Sequence, residues 1–413
     1  MVCGCRRRCP VVPQPPACRR RPCGTAEGEG FYRGSRAAGL LLSSGPPERH
    51  GGNRAAIARR LGCRPEQLLD ASASLVPFGP PAGLRRRLRQ ALAAAAPASL
   101  RDYPDRTYQP LAAAIAAHHG LDPAWVLPGN GAAELFTWAA RDAAGLGASL
   151  LPTPGFADYR RALACWHGAW QPLPLPLHWP AAFPQPFPLT PAAGGGGPAV
   201  LWITNPHNPT GQLWSRASLA PLLERFALVV ADEAFLPLLD AGEAQSLVPL
   251  LADHPNLVVI RSLTKLAAIA GLRLGYALAH PDRLRRWAAW RDPWPVNGLA
   301  ALAGEGLIGD LAWQRRVQRW LAREGPWLAG QLAGLEGLRP CPSAANFLLL
   351  QGSGSLEPLR QALETRHRIL LRDCRSFEGL GENWLRLAVL DRAGNRRLLG
   401  ALRRELRAGG GAR

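Results

Sequence analysis

Residues 199–211 read AVLWITNPHNPTG, a mainly apolar run that ends in a polar turn with two prolines. Residues 227–235 (ALVVADEAF) and 257–265 (LVVIRSLTK) share this pattern, with charged side chains after the apolar run. Short apolar runs of this kind predict buried β-strands. Because ligands bind at the carboxyl ends of strands in open α/β sheets, we expect an α/β fold with its functional groups along one edge of a sheet.

Strand-like and helix-like segments alternate from about residue 121 to residue 280, which predicts a largely parallel sheet. The predicted strands are Ser149–Leu151, Ala199–Thr204, Ala227–Ala231, Leu257–Ile260 and Leu274–Leu278. Helical patterns cover Ala132–Ala143 and Arg216–Arg225. The Gly- and Pro-rich stretch 180–198 is expected to be a surface excursion.

A different pattern follows residue 295, where a long helical region runs to about Leu335. Strands are then predicted near Asn346–Leu350 and Trp384–Val389, with a closing helix over Arg396–Arg407. We therefore expect an N-terminal arm and large domain over residues 46–295, and a smaller α+β C-terminal domain over residues 296–413.

Residues 1–45 differ in composition from the rest of the chain. They hold five of the nine cysteines, two Arg triplets and a Pro-rich stretch. None of these cysteines has C-x-x-C spacing and no histidine is nearby, so we expect a disordered basic Cys/Pro-rich tail and no metal site.

The formal net charge of +19 raises the possibility of a nucleic-acid partner. The arginines are scattered over predicted helix faces and are not clustered with aromatic residues, so we expect no nucleic-acid partner. Apolar runs are interrupted well before about 18 residues, and no apolar segment follows the N-terminal arginines. We therefore expect no membrane segment and a cytoplasmic location.

Lys265 is the one lysine among 49 Lys and Arg residues. Arginine stays protonated, whereas a lysine amine can lose its proton and act as a nucleophile. A lysine kept in a chain that otherwise uses arginine therefore indicates a chemical role, and its sequence context supports that interpretation.

Three further motifs supply groups that complement this lysine. Gly131, Ala132 and Ala133 begin a helix after a predicted strand, where free amides favour a phosphate. Asn208 lies in the turn NPHNPTG, and Asp232 ends an apolar strand, where a carboxylate needs a cationic or hydrogen-bonding partner. A phosphate site, a ring-nitrogen acceptor, a ring-oxygen donor and an amine nucleophile together describe a site for pyridoxal 5′-phosphate (PLP).

The sequence resembles the fold-type I PLP enzymes over roughly residues 46–405. The resemblance rests on three motifs in their order and spacing: N-P-x-N-P-T-G, D-E-A-F and S-L-T-K-x7-R. The resemblance implies a large domain with a mainly parallel seven-stranded sheet, a smaller α+β C-terminal domain, and a homodimer. It also implies that Lys265 bonds covalently to PLP, that Asp232 pairs with the ring nitrogen and that Asn208 binds the phenolic oxygen.

The same resemblance assigns the remaining site residues. Phe156 would stack on the cofactor ring, and Tyr103 would reach the phosphate of the neighbouring subunit's cofactor. Arg386 would bind the substrate α-carboxylate. The residues that would hold the cofactor phosphate are Gly131, Ala132, Ala133, Ser262 and Arg273.

Three segments most resemble the threonine-phosphate decarboxylases of cobalamin biosynthesis: residues 50–53 (HGGN), 70–81 (DASASLVPFGPP) and 371–377 (LRDCRSF). Phe235, where aminotransferases usually have Tyr, also fits that group. Ser74 and Val76 replace two asparagines of its usual pattern.

The implied reaction converts O-phospho-L-threonine to (R)-1-aminopropan-2-ol O-2-phosphate. A small phosphorylated amino acid needs two separate cationic clamps, and we assign its phosphate to Arg372 and His50. An aminotransferase of the histidinol-phosphate type uses the same cofactor machinery and is the main alternative. A non-catalytic basic binding protein is the remaining one.

Overall fold

The computed structural model describes residues 50–93, 95, 97–189 and 197–410. Its strands are Leu69–Asp70 (β1), Val126–Gly129 (β2), Ser149–Thr153 (β3), Trp170–Pro174 (β4), Val200–Thr204 (β5), Leu228–Asp232 (β6), Leu257–Ser262 (β7), Gly275–Ala279 (β8), Leu338–Pro340 (β9), Phe347–Gly352 (β10), Ile369–Leu370 (β11), Arg372–Asp373 (β12) and Trp384–Ala388 (β13).

The α-helices are Arg54–Arg60 (α1), Ala82–Leu92 (α2), Ala98–Arg101 (α3), Gln109–His119 (α4), Gly131–Leu146 (α5), Ala157–Ala164 (α6), Arg216–Leu219 (α7), Leu263–Ala267 (α8), Pro281–Trp290 (α9), Gly298–Leu307 (α10), Leu311–Ala333 (α11), Glu357–His367 (α12) and Arg392–Gly410 (α13).

Seven strands form the central sheet, in the order β2-β8-β7-β6-β5-β3-β4. Neighbouring strands from β7 to β4 are parallel, and β8 alone is antiparallel to both of its neighbours. The prediction of an α/β fold with a mainly parallel seven-stranded sheet is confirmed.

Strands β5, β6 and β7 are buried on both faces. Along β5, Leu201 and Ile203 pack into the apolar cluster on one side of the sheet, whereas Val200 and Trp202 pack into the cluster on the other side. This alternation is that of a strand covered on both faces. The first polar side chains, Thr204 on β5 and Asp232 on β6, therefore lie at the carboxyl ends of the strands.

The C-terminal part contains a four-stranded antiparallel sheet in the order β12-β13-β10-β9. Some of its apolar side chains, including Leu348 and Leu385, share one cluster with residues of α11, α12 and α13, such as Val317, Leu363 and Leu398. In the register of β12 with β13, Arg372 lies opposite Arg386.

The N-terminal segment is tied to this C-terminal part. Strand β1 pairs in parallel with β11, with Leu69 opposite Ile369. Ala58 and Leu68 form a small apolar cluster with Leu370. Residues 50–74 are thereby brought beside β12.

Two segments differ in detail from the sequence expectations. The described residues of the stretch expected to be a surface excursion are mostly exposed, but Gln185 and Phe187 are buried, and the backbone of Gln185 pairs with Leu213 and Ser215. The segment expected to be helical over 216–225 is an α-helix over Arg216–Leu219 and a 3₁₀ helix over Ala220–Glu224, where Pro221 lacks the amide that an α-helix needs.

The described residues belong to one compact unit, and the boundary near residue 295 stays a prediction. The tail predicted over residues 1–45 lies outside the described residues. None of the helices in the described part of the chain has the length and apolarity needed to cross a membrane.

Candidate active site

A cavity of about 380 Å³ lies at the carboxyl ends of β5, β6 and β7, within the usual range for small-ligand sites. All the predicted site residues except Gly131 and Tyr103 line it: His50, Ala132, Ala133, Phe156, Asn208, Asp232, Ser262, Lys265, Arg273, Arg372 and Arg386. Residues far apart in sequence thus meet at one place, as the motif order predicts.

Gly131 lies directly beneath the guanidinium group of Arg273. It is buried and has φ +71°, and a Cβ there would fall 2.6 Å from Arg273 Nη2. Arg273 Nη1 donates to the carbonyl of Ala270 at 3.2 Å, which fixes the guanidinium beside the first turn of α5. A cation beside the amino end of a helix suits a phosphate group.

Asp232 ends β6 and is buried. The Tyr159 hydroxyl donates to its Oδ2 at 2.6 Å, and the Ala234 amide donates to its Oδ1 at 3.0 Å. Burial raises the pKa of the Asp232 carboxyl to about 6, although these hydrogen bonds and the charge of Lys265 act in the opposite direction.

Lys265 lies on α8, with Nζ 5.7 Å from the centre of the Phe235 ring. Burial and, after it, the charges of Arg386 and Arg273 together lower the pKa of its amine to about 8, against the opposing charge of Asp232. A larger fraction of this amine is therefore neutral near physiological pH than in an exposed lysine, as a nucleophilic amine requires.

Arg386 is a buried cation that faces the cavity. It donates to Asn208 Oδ1 and, at 3.4 Å, to the carbonyl of Ser72, whereas its Nε is buried and has no hydrogen-bond partner among the described residues. Burial and the nearby charge of Arg372 lower the pKa of Arg386 to about 10. Like charges opposite each other in a sheet are destabilising, so the pair favours an anion in the cavity.

Arg372 is held by hydrogen bonds to the carbonyl of Asp373 at 2.9 Å and to Ser376 Oγ at 2.7 Å, and its guanidinium lies 4.9 Å from the Phe377 ring centre. His50, at the exposed side of the cavity, packs its ring edge-on to Phe156 at 5.8 Å. Burial lowers the pKa of His50, as do the charges of Arg372 and other nearby cations, against Asp158.

Tyr103 does not line the cavity. Its side chain is 78% exposed and stacks on Trp294 with 4.2 Å between ring centres. The guanidinium group of Arg106 also lies over the Trp294 ring, 4.8 Å from its centre. The predicted role of Tyr103 in a neighbouring subunit's site stays a prediction.

Comparison with known proteins places this chain in a family. The family model for aminotransferases of class I and II matches residues 70–402. The chain belongs to this family. Solved structures of similar proteins share the fold described above, and the family implies PLP as the cofactor.

Two relatives of this chain are named for different activities. The threonine-phosphate decarboxylase of Salmonella typhimurium is 38% identical over 86% of this chain and 96% of its own length. The histidinol-phosphate aminotransferase of Symbiobacterium thermophilum is 34% identical over 77% of this chain and 86% of its own. The histidinol-phosphate aminotransferase of Sinorhizobium meliloti, solved in complex with PLP, shares the fold with a TM-score of 0.73, 21% identity and coverage of 86% and 95%.

The residues of this family member fit PLP. The space above Gly131, which a Cβ would fill, adjoins Arg273 and the start of α5 and suits a phosphate. Asp232 offers a buried carboxylate to a protonated ring nitrogen, and Lys265 offers an amine of lowered pKa. The donor set therefore matches the chemistry of the cofactor.

The motifs did not reveal every residue that contributes to the site. Tyr159 contacts Asp232, and its position three residues after Phe156 on one helix face was the available signal. Asp158 lines the cavity and is paired with Arg161, which also donates to the carbonyl of Ala133 at 3.1 Å. No sequence motif marks this bridge between α6 and α5.

Proposed function

We propose that this family member is a PLP-dependent decarboxylase that converts O-phospho-L-threonine to (R)-1-aminopropan-2-ol O-2-phosphate for cobalamin biosynthesis. The observation that carries the proposal is the pair of buried arginines, Arg372 and Arg386, which face one cavity from opposite positions of β12 and β13. Two fixed cations suit a substrate with a carboxylate and a phosphate. The 38% identical threonine-phosphate decarboxylase also supports this substrate.

The proposed cofactor-binding residues would contact different parts of PLP. Lys265 would bond to PLP, Asp232 would hold the proton of the ring nitrogen, Asn208 would bind the ring oxygen and Phe156 would cover the ring face. Gly131, Ala132, Ala133, Ser262 and Arg273 would hold the phosphate. When bound, PLP supplies a ring that accepts the electrons released as a bond at the substrate Cα breaks.

The other cavity residues would orient the substrate. Arg386 would bind the α-carboxylate through the guanidinium edge that carries the unpaired Nε, and Arg372 and His50 would bind the phosphate. Fixing both ends of the substrate fixes which bond at Cα stands perpendicular to the cofactor ring, and that bond is the one that breaks. Lys265, with its pKa near 8, can then hold or deliver a proton at Nζ close to neutral pH.

A histidinol-phosphate-type aminotransferase is the second candidate, because a 34% identical relative has that name. It would use Lys265 to move a proton from Cα and would need a keto acid as the amino-group acceptor. The same phosphate clamp serves either substrate, so the reaction must be tested directly.

The deciding experiment incubates the PLP-loaded protein with O-phospho-L-threonine and no keto acid, and measures carbon dioxide. We expect release of carbon dioxide with formation of the phosphorylated amino alcohol, and activity reduced by several orders of magnitude in Lys265→Arg, which keeps the charge but cannot bond to the aldehyde. Amino transfer from histidinol phosphate to 2-oxoglutarate, with no carbon dioxide, would favour the second candidate. Absence of a PLP label on Lys265 after reduction with borohydride would favour a non-catalytic binding protein.

We also propose that the enzyme is a homodimer with composite sites. The exposed stack of Tyr103 on Trp294 supports this, since a large aromatic side chain at the surface is typical of an interface. Light scattering across a dilution series tests it. A monomer that keeps full activity on dilution would contradict it.

A further inference from the structure

Tyr159 connects two neighbouring strands of the central sheet at their carboxyl ends. Its side chain is 2% exposed, and its hydroxyl oxygen lies 2.6 Å from Asp232 Oδ2 and 2.8 Å from Thr204 Oγ1. Thr204 ends β5 and Asp232 ends β6, and the two residues are opposite each other in the register. The hydroxyl of Tyr159 therefore closes a three-residue hydrogen-bonded group beneath the cavity.

The direction of these hydrogen bonds follows from the number of protons. An ionised carboxylate only accepts, so Tyr159 must donate its single hydroxyl proton to Asp232. The second contact then requires Thr204 to donate to the Tyr159 oxygen. A hydroxyl that accepts one hydrogen bond, as that of Tyr159 does from Thr204, donates a stronger one, and the 2.6 Å bond has the length typical of a hydroxyl on a charged oxygen.

Packing fixes the position of the Tyr159 hydroxyl. The Tyr159 ring meets Phe136 edge-on at 5.1 Å and Phe156 edge-on at 5.6 Å, and it lies 5.1 Å from Trp202. A ring held on three sides by aromatic residues cannot turn its hydroxyl away from the carboxylate without displacing them.

Several ionisable groups face Asp232 besides Tyr159. Lys265, on α8, is a cation that favours the ionised carboxyl. Glu233, the next residue in the chain, disfavours it, although its own charge is paired with Arg261 at 2.7 Å. Burial favours the neutral form of Asp232, so the hydrogen bond from Tyr159 is a main factor that keeps the carboxylate charged.

We propose that Tyr159 is a positioning residue that keeps Asp232 ionised, so that Asp232 can hold the proton on the ring nitrogen of the cofactor. The inference rests on the PLP-binding part of the proposed function and does not depend on which bond at the substrate Cα breaks. Tyr159 acts through Asp232 and touches neither the substrate nor the reacting atoms.

The test compares Tyr159→Phe with the unmodified protein in two NMR measurements. In the apoprotein, the titration of the ¹³C-labelled Asp232 carboxyl, assigned with Asp232→Asn, should move upward by about one to two pKa units, the equivalent of a lost charge-assisted hydrogen bond. In protein loaded with ¹⁵N-labelled PLP and no substrate, the ring-nitrogen signal should shift toward the unprotonated position.

Two sets of variants serve as controls. Tyr276→Phe removes another buried hydroxyl, one that bonds to His119 at 2.9 Å outside the cavity, and should leave both signals unchanged. Thr204→Val should raise the Asp232 pKa by less than Tyr159→Phe does, because it removes only the donor to Tyr159. Thr204→Ser keeps that donor, so the Asp232 pKa should stay near its value in the unmodified protein.

A folded Tyr159→Phe protein with an unchanged Asp232 titration would overturn this inference. A fall in the Asp232 pKa in Thr204→Val would also overturn it, since that result would reverse the direction of the hydrogen bonds. Failure of the unmodified protein to bind PLP would instead overturn the proposed function, and the titration in the apoprotein would still show whether Tyr159 controls Asp232.

Discussion

At the scale of single residues, Lys265 is surrounded by groups that mostly oppose its protonation. Burial is the largest influence, Arg386 and Arg273 add to it, and Asp232 acts against them. The amine is therefore half neutral near pH 8, whereas an ordinary lysine amine is half neutral near pH 10.4. The position of this titration is a property of the cavity and can be measured in the apoprotein.

We predict that the rate at which the apoprotein captures PLP covalently rises with pH with a midpoint near 8, because only the neutral amine attacks the aldehyde. Arg386→Gln should move this midpoint upward, since a nearby positive charge is lost. Stopped-flow absorbance across a pH series measures it. Arg339→Gln, at an exposed arginine outside the cavity, is the control, and a midpoint near 10 in the unmodified protein would contradict the prediction.

We predict that Arg372→Ala lowers kcat/KM for O-phospho-L-threonine. The loss should correspond to about 2–4 kcal/mol in activation free energy, as expected for a lost charge-assisted contact. The much weaker reaction of plain threonine should hardly change, because threonine has no phosphate to bind. Steady-state kinetics with both substrates measure the difference. Equal losses would show that Arg372, which also bonds to Ser376, supports the fold and does not recognise the phosphate.

The meeting of the proposed catalytic and cofactor-binding residues in one cavity could be predicted from the sequence because each lies in a short motif with fixed spacing. Lys265 and Asp232 are examples, and both line the cavity. The contact of Tyr159 with Asp232 could not be predicted in this way, since it depends on how α6 packs against the end of β6, 73 residues later in the chain. The same holds for the opposition of Arg372 and Arg386, which depends on strand register.

At the scale of elements, strands β5, β6 and β7 start and end within about two residues of the predicted limits, because their apolar runs end in polar turns. Boundaries set by tertiary contacts were less predictable. The helical region expected to run to about Leu335 is divided into α10 and α11, and Asp310 caps the second helix by accepting from the Trp313 amide. The closing helix starts at Arg392, four residues earlier than expected.

The start of α5 offers a test at this scale. We predict that Gly131→Ala weakens PLP binding by about tenfold or more, because the new Cβ would displace the Arg273 guanidinium and the backbone has positive φ. Fluorescence titration of the apoprotein with PLP measures the affinity.

Gly145→Ala, in the same helix, is the matched control. A Cβ there meets no atom within 4 Å, so we expect unchanged PLP affinity and a gain in stability of about 0.5–1 kcal/mol from better helix propensity. Unchanged PLP affinity in Gly131→Ala would show that the phosphate is not held at this helix.

At the scale of the whole molecule, the described residues alone supply a cavity lining that runs from His50 to Arg386. Residues 1–49 carry nine arginines against three acidic residues and few large apolar side chains. We therefore predict that deletion of residues 1–40 leaves activity and unfolding temperature nearly unchanged. Zinc bound stoichiometrically by the full chain and lost on deletion, or a clear fall in unfolding temperature, would contradict this.

The pairing of β1 with β11 has a consequence for synthesis on the ribosome. Leu69 and its partner Ile369 are separated by most of the chain, so the N-terminal segment leaves the exit tunnel long before the strand that it joins. Until then, Ala58 and Leu68 lack the Leu370 side chain that covers them in the finished fold, and the nascent chain presents an apolar segment to chaperones. Since Arg372 and Arg386 emerge later still, the pair of arginines proposed to bind the substrate cannot form until β12 and β13 have both been synthesised.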